Sequence, residues 1–300
     1  MVYPYDASPG PLADKLTAIF EVAYRTPAPG KILRPCSACL LLALLTPVLA
    51  FSQSSKVATD SVGVAKNTVA PIVCLLHDAA TGTEMIRFEI FGTAFMVDKK
   101  GTFITAGHVI AALLTSPSKD VCFPAITFPV GGWKRDPRTD VRWFTFNSGA
   151  CQVNTKFDVA VCRTIGEMNS KYPEIRFDVA TISTERPPDG TTIFFTGFPL
   201  QATDPVTSIG AVAGYSAGDS YSTVLIDKNA WPGASGSPIY LSDGKTAIGM
   251  VTRTGTGDSA GLSFGIAGER IASVLADAKT NWEKAQNKAN EESPVATTQH

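Results

Sequence analysis

Ser235 has the surroundings of a nucleophile. It lies in residues 231–240, WPGASGSPIY, with Gly233 two residues before it, Gly236 directly after it and Pro238 three residues after it. Glycine there lets the backbone turn tightly and approach a ligand closely. Such a turn aims backbone N–H groups at one point, as an oxyanion requires. The same letters also describe an ordinary Gly/Ser/Pro loop between strands. The esterase elbow G-x-S-x-G fits poorly. Ser237 stands at its last glycine, and the flanks read strand–loop–strand rather than strand–turn–helix.

A nucleophilic serine needs a base, and the base needs an orienting acid. The chain has three histidines. His300 is in a polar tail and His77 precedes Asp78 at a turn, which leaves His108. It ends the run Thr102-Phe-Ile-Thr-Ala-Gly107, where Ala106 and Gly107 let a large group pack against the imidazole's approach. A strand-end histidine is also a common structural residue. Asp158 is the acid that its context picks out. In Phe157-Asp158-Val159-Ala160-Val161 one carboxylate opens an apolar strand, where it is expected to be largely desolvated. Such a group must find a donor. An imidazole N–H suits it, although an aspartate at an ordinary loop-to-strand junction is spelled the same way.

These three residues need strands to hold them. Short extended runs separated by turn residues fall at 69–76, 87–97, 102–106, 141–146, 157–163, 191–196, 208–213, 222–226, 239–241, 247–252 and 262–267. Asp98-Lys-Lys-Gly101 reads as a hairpin connection. Many short strands without helices between them imply an all-β antiparallel sandwich or barrel. With 25 glycines and 20 prolines the composition agrees. After Gly268, apolar residues at Ile271, Val274, Leu275, Ala278, Trp282 and Ala285 form a helical stripe. Residues 291–300 are polar and read as a disordered tail.

Charge is balanced, with 26 basic and 27 acidic residues, so no basic face for nucleic acid is indicated. Lys31 and Arg34 precede an apolar run from Cys36 to Ala50, with Val48 and Ala50 at the −3 and −1 positions of a cleavage site. That pattern is a secretory signal peptide ending before Phe51. The run falls short of the roughly 20 residues of a membrane span, though an uncleaved anchor is the competing reading. Residues 1–50 are therefore taken as an extension and signal peptide, and 51–64 as a linker. The mature chain is expected in the periplasm or outside the cell, without stable membrane association. Cys74, Cys122, Cys151 and Cys162 remain, and suit two disulfides in any of three pairings, or buried thiols. No C-x-x-C pair or His/Cys cluster survives in the mature part, so no metal and no other cofactor is expected.

Taken in order, Thr105-Ala106-Gly107-His108, Asp158-Val159-Ala160-Val161 and Gly233-Ala234-Ser235-Gly236-Ser237-Pro238 resemble the trypsin-like (chymotrypsin-fold) serine peptidases. Gly92-Thr93-Ala94-Phe95-Met96-Val97 resembles the strand leading to the histidine. Gly197-Phe198-Pro199 and Ile248-Gly249-Met250-Val251 resemble the bacterial branch that includes the high-temperature-requirement proteases. The resemblance implies two antiparallel six-stranded β-barrels with a C-terminal helix. The peptidase domain would span 65–290: a first barrel over about 65–175, a second over about 176–267 and the helix over about 268–288. It further implies an endopeptidase acting on polypeptides through Ser235, His108 and Asp158, with an oxyanion hole made by the N–H groups of Gly233 and Ser235. A catalytically inactive binding or sensor protein on the same fold is the alternative.

The residue six before the nucleophile is Asn229, which the resemblance puts at the base of the substrate pocket. No acid stands there, so small or medium apolar side chains are expected in place of Arg or Lys. Thr252 and Arg253 would belong to the strand lining the pocket, with the Thr252 hydroxyl donating to Asp158. The chain departs from animal members at Gly107 and Val109, and at Ser237. It has no Arg/Lys-Ile/Val-Ile/Val-Gly-Gly activation site and no PDZ-length segment after the peptidase region.

Overall fold

The β-branched and aromatic runs close into two barrels. The structure, a computed structural model, describes residues 57–77, 86–116, 122–129, 133, 141–167, 177–216 and 222–292. The expected signal peptide and residues 293–300 of the expected tail lie outside these residues, while Glu291 and Glu292 continue the C-terminal helix.

The first barrel contains β1 (Val69–His77), β2 (Ile86–Met96), β3 (Thr102–Ala106), β4 (Cys122–Pro129), β5 (Val141–Phe146), β6 (Gln152–Asn154) and β7 (Val159–Glu167). Their order is β3-β2-β1-β4-β5-β7, and a further β3–β7 pairing closes the ring. The short β6 continues the β5 side of β7, facing Val159 to Val161 while β5 faces Thr164 to Glu167. The barrel thus has six positions.

The second barrel contains β8 (Thr181–Ile182), β9 (Thr192–Gly197), β10 (Val206–Ser216), β11 (Thr223–Ile226), β12 (Pro238–Tyr240), β13 (Thr246–Thr254) and β14 (Ser263–Ala267). The row β12-β9-β10-β11-β14-β13 closes through β12–β13, and β8 adds in parallel at the start of β13. All other pairings are antiparallel. The architecture is that of two closed six-stranded antiparallel barrels, as the resemblance implied.

Three helices accompany the strands: α1 (Thr59–Lys66), α2 (Gly107–Thr115) and α3 (Gly268–Glu292). The first cuts short the expected linker, and its Ala65 is fully buried. In α3 the residues Ile271, Val274 and Ala278 are buried, as the stripe required. Trp282, further along, carries the Arg163 guanidinium over its ring at 3.9 Å. One apolar core runs from the first barrel into Phe194, Phe198, Tyr240 and Met250 of the second. Burial pushes the Tyr240 hydroxyl far above its ordinary pKa, while a hydrogen bond with Thr68 works the other way.

The four cysteines form two disulfides. Cys74–Cys122 ties the neighbours β1 and β4. Cys151–Cys162 ties the start of β6 to β7, and the loop it closes contains Asp158. Closing a loop of this length stabilises a fold by about 2–4 kcal/mol, mainly by restricting the unfolded chain.

Candidate active site

His108 does not end a strand. The chain leaves β3 at Ala106 and turns at once into α2, so His108 occupies the first helical turn and is about half exposed, at 48% of its side chain. Ala106, at the N-cap, supplies no side-chain hydrogen bond to the helix. Asp158, just before the neighbouring strand β7, provides one. Its Oδ1 accepts the His108 backbone N–H at 2.8 Å, and its Oδ2 meets His108 Nδ1 at 2.7 Å. Its backbone carbonyl accepts the Gly107 N–H at 2.9 Å. A carboxylate at the amino end of a helix complements the helix dipole.

Asp158 itself differs from the expectation. It sits in the turn ahead of β7 with φ 54°, and 35% of its side chain is exposed. The left-handed backbone explains both facts. It turns carbonyl and carboxylate together toward the start of α2, away from the buried run Val159 to Val161. Because an ionised carboxylate only accepts, the Nδ1 bond requires the proton on Nδ1. Nε2 is then left with a lone pair for a base's work.

Ser235 comes from the loop between β11 and β12, pressed against β2 of the first barrel. The Thr93 N–H donates to the Ser235 carbonyl at 2.9 Å. The Thr93 hydroxyl donates to the Gly233 carbonyl at 3.0 Å and accepts the Phe198 N–H at 3.0 Å. The backbones pass so closely that a Cβ on Gly92 would stand 2.7 Å from a Val109 methyl and 3.0 Å from the Ser235 carbonyl oxygen. The helical turn with His108 and the loop with Ser235 therefore meet over Gly92. Gly236 has φ 90°, and a Cβ there would fall 1.9 Å from the Thr93 carbonyl oxygen. These two positions accept no side chain.

The Ser235 hydroxyl donates to the Thr252 carbonyl at 3.2 Å. Among the described residues it makes no hydrogen bond with His108. His108 and Asp158 are thus joined, while Ser235 faces them with its hydroxyl turned to β13. Among the described residues nothing accepts the N–H of Gly233 or of Ser235, so both backbone donors are available.

A cavity of about 380 Å³ opens beside Ser235, lined among others by Asn229, Ala230, Trp231, Val251 and Arg253. Asn229 and Arg253 line the same cavity as Ser235. Each has a contact of its own. Asn229 Oδ1 accepts the Gly261 N–H at 3.1 Å, and the Arg253 guanidinium lies over the Phe264 ring at 4.5 Å. Thr252 does not line the cavity. Its hydroxyl donates to the Phe264 carbonyl at 3.3 Å instead of to Asp158. The β13–β14 register shifts between Val251 and Arg253, and that bulge turns Thr252 toward its neighbour strand.

Residues sequence reasoning passed over are Thr93 and Gln201. Thr93 stands inside a recognised motif and Gln201 just after one, but neither was given a role. What they do depends on contacts 105 to 140 residues away along the chain.

No curated protein matches the chain in sequence. Among solved structures, the crystal structure of Deg5 superposes with a TM-score of 0.52 at 18% identity, covering 75% of this chain and 93% of that one. The HtrA-type protease AlgW with a decapeptide superposes with a TM-score of 0.53 at 14% identity, covering 73% of this chain and 66% of that one. At such identities the likeness is one of fold. The sequence model of the trypsin-like peptidase domain matches residues 92–250, more than half of the chain and the stretch from Gly92 through Ser235 to Met250. The chain belongs to the trypsin-like peptidase family.

Proposed function

We propose that the protein is an exported serine endopeptidase. The observation that carries this reading is the bond of His108 Nδ1 to Asp158 at 2.7 Å, in a molecule whose Ser235 loop offers two unpartnered N–H groups. Catalysis on this reading requires the Ser235 hydroxyl to rotate about its Cα–Cβ bond from the Thr252 carbonyl to His108 Nε2. Ser235 Oγ then attacks the scissile carbonyl as Nε2 takes its proton. The Gly233 and Ser235 N–H groups stabilise the oxyanion, and His108 returns the proton to the leaving amine. Asp158 holds the imidazole and its tautomer throughout. An acyl-enzyme on Ser235 is hydrolysed by the same steps run with water.

The cavity beside Ser235 supports a small or medium apolar residue before the scissile bond. Ala230 and Val251 form part of its wall, Asn229 Oδ1 already accepts the Gly261 N–H, and the Arg253 guanidinium lies over the Phe264 ring. Export is supported by the two disulfides and by the apolar run that precedes Phe51. No helix among the described residues is long and apolar enough to cross a membrane.

A phosphonofluoridate probe with intact-mass detection tests both parts. The expected product is one adduct, mapped to Ser235, on a chain beginning at or near Phe51. A peptide library should be cut after Ala, Val or Thr in preference to Arg or Lys. A second reading, a binding protein on the same fold, has the Ser235–Thr252 hydrogen bond in its favour. A folded, disulfide-bonded sample that takes no label decides for it. Retention of residues 1–50 in the mature protein refutes export by signal cleavage.

A further inference from the structure

The peptide that carries the Gly233 N–H is held by a contact chain that ends in the other barrel. Among the described residues no peptide bond is cis, so the Pro232 carbonyl and the Gly233 N–H point in opposite directions. The Pro232 carbonyl accepts the Leu200 N–H at 2.7 Å. Whatever fixes Leu200 therefore aims the Gly233 N–H.

Leu200 and Gln201 are successive non-glycine residues in the left-handed region, with φ 53° and 62°. L-residues adopt that conformation unwillingly, and two in sequence need an outside hold. Gln201 supplies it. Its Oε1 accepts the Ile90 N–H at 2.9 Å and its Nε2 donates to the Ile90 carbonyl at 2.7 Å. Ile90 lies on β2, which pairs with β3 only at Phe95 and Met96 among the described residues. The carboxamide thus takes the place of a strand neighbour on the open edge of β2.

We propose that Gln201 is a positioning residue: it clamps the turn 198–201 of the second barrel to β2 of the first, and through Leu200 and Pro232 it aims the Gly233 N–H at the oxyanion. This rests on the serine peptidase reading, and Gln201 itself touches no substrate. One oxyanion-hole donor is worth on the order of 10²–10³ in kcat. A donor left in place but less firmly aimed is expected to lose part of that.

Gln201→Met keeps the length of the side chain and removes both hydrogen bonds. The expected result is a fall of about tenfold in kcat, with KM changed by less than about twofold, because substrate binding does not use the oxyanion donors as fully as the transition state does. Gln201→Glu supplies the second readout. Ionised, it offers no donor to the Ile90 carbonyl. Protonated, it presents an oxygen and an O–H as the amide presents its oxygen and N–H. The ratio of its kcat to that of the wild type should therefore rise as the pH falls toward about 4–5, the range in which a glutamate gains its proton. An unchanged kcat in Gln201→Met overturns the inference. So does a pH-independent ratio in Gln201→Glu, which would mark the residue as merely structural. Wild-type protein that neither takes the phosphonate nor cleaves peptides fails at the earlier step: the peptidase reading falls, and this inference with it.

Discussion

Purified Ser235→Ala should lose on the order of 10⁶ in kcat toward a peptide substrate while still binding it. The side chain is half-buried and its Oγ has one recorded partner, the Thr252 carbonyl, so its removal leaves no stranded donor and the fold should survive. The loss is chemical. His108→Ala should cost a similar factor, and the double variant should be hardly worse than either single one, because the members of such a unit fail together. Steady-state kinetics of the three variants measure this directly. Turnover within a hundredfold of wild type in Ser235→Ala would place the nucleophile elsewhere.

Asp158→Asn should cost about 10⁴ in kcat. The carboxylate uses one oxygen for the His108 backbone N–H and the other for Nδ1. A carboxamide has only one acceptor oxygen. If that oxygen keeps the backbone N–H, its NH₂ faces Nδ1 and drives the proton to Nε2, which then cannot take one from serine. If the amide flips, the backbone N–H at the start of α2 loses its acceptor. Either way the base is compromised although the packing is nearly unchanged. The check is kcat for a protein whose melting temperature is close to that of wild type. A loss of less than about tenfold would mean that Asp158 serves the helix and not the base.

The sequence showed most of the strands because their alternation and turn chemistry are local. The runs expected at 102–106 and 141–146 coincide with β3 and β5. β4 went unread because Pro124 and Pro129 sit inside it, and proline ordinarily argues against an interior strand. In the barrel Pro124 lies opposite Cys74 and Pro129 opposite Val141. The helix α2 was hidden for the opposite reason. Val109, Ile110 and Leu113 are buried beside Ala111 and Leu114, so apolar residues occur around much of its circumference and no polar face marks the period. At the site, residue types and order were readable. The turns were not, since the left-handed backbone of Asp158 and the bulge beside Thr252 arise from neighbours far along the chain. The pairing of the cysteines was likewise out of reach until β1 and β4, and β6 and β7, were seen as neighbours.

The grip of Thr93 on the carbonyls of Gly233 and Ser235 has a bearing on the life of the newly made chain. Synthesis delivers base and acid first, on a barrel complete by Glu167, and the serine only some seventy residues later. Even then the serine's loop takes its shape from a strand of the earlier barrel. On the peptidase reading, a chain whose second barrel has not yet packed on the first would hold His108 and Asp158 without the held Ser235 loop and would not cleave peptides. On the same reading activity would begin only when the two barrels dock, so that the last packing step would double as a safety catch.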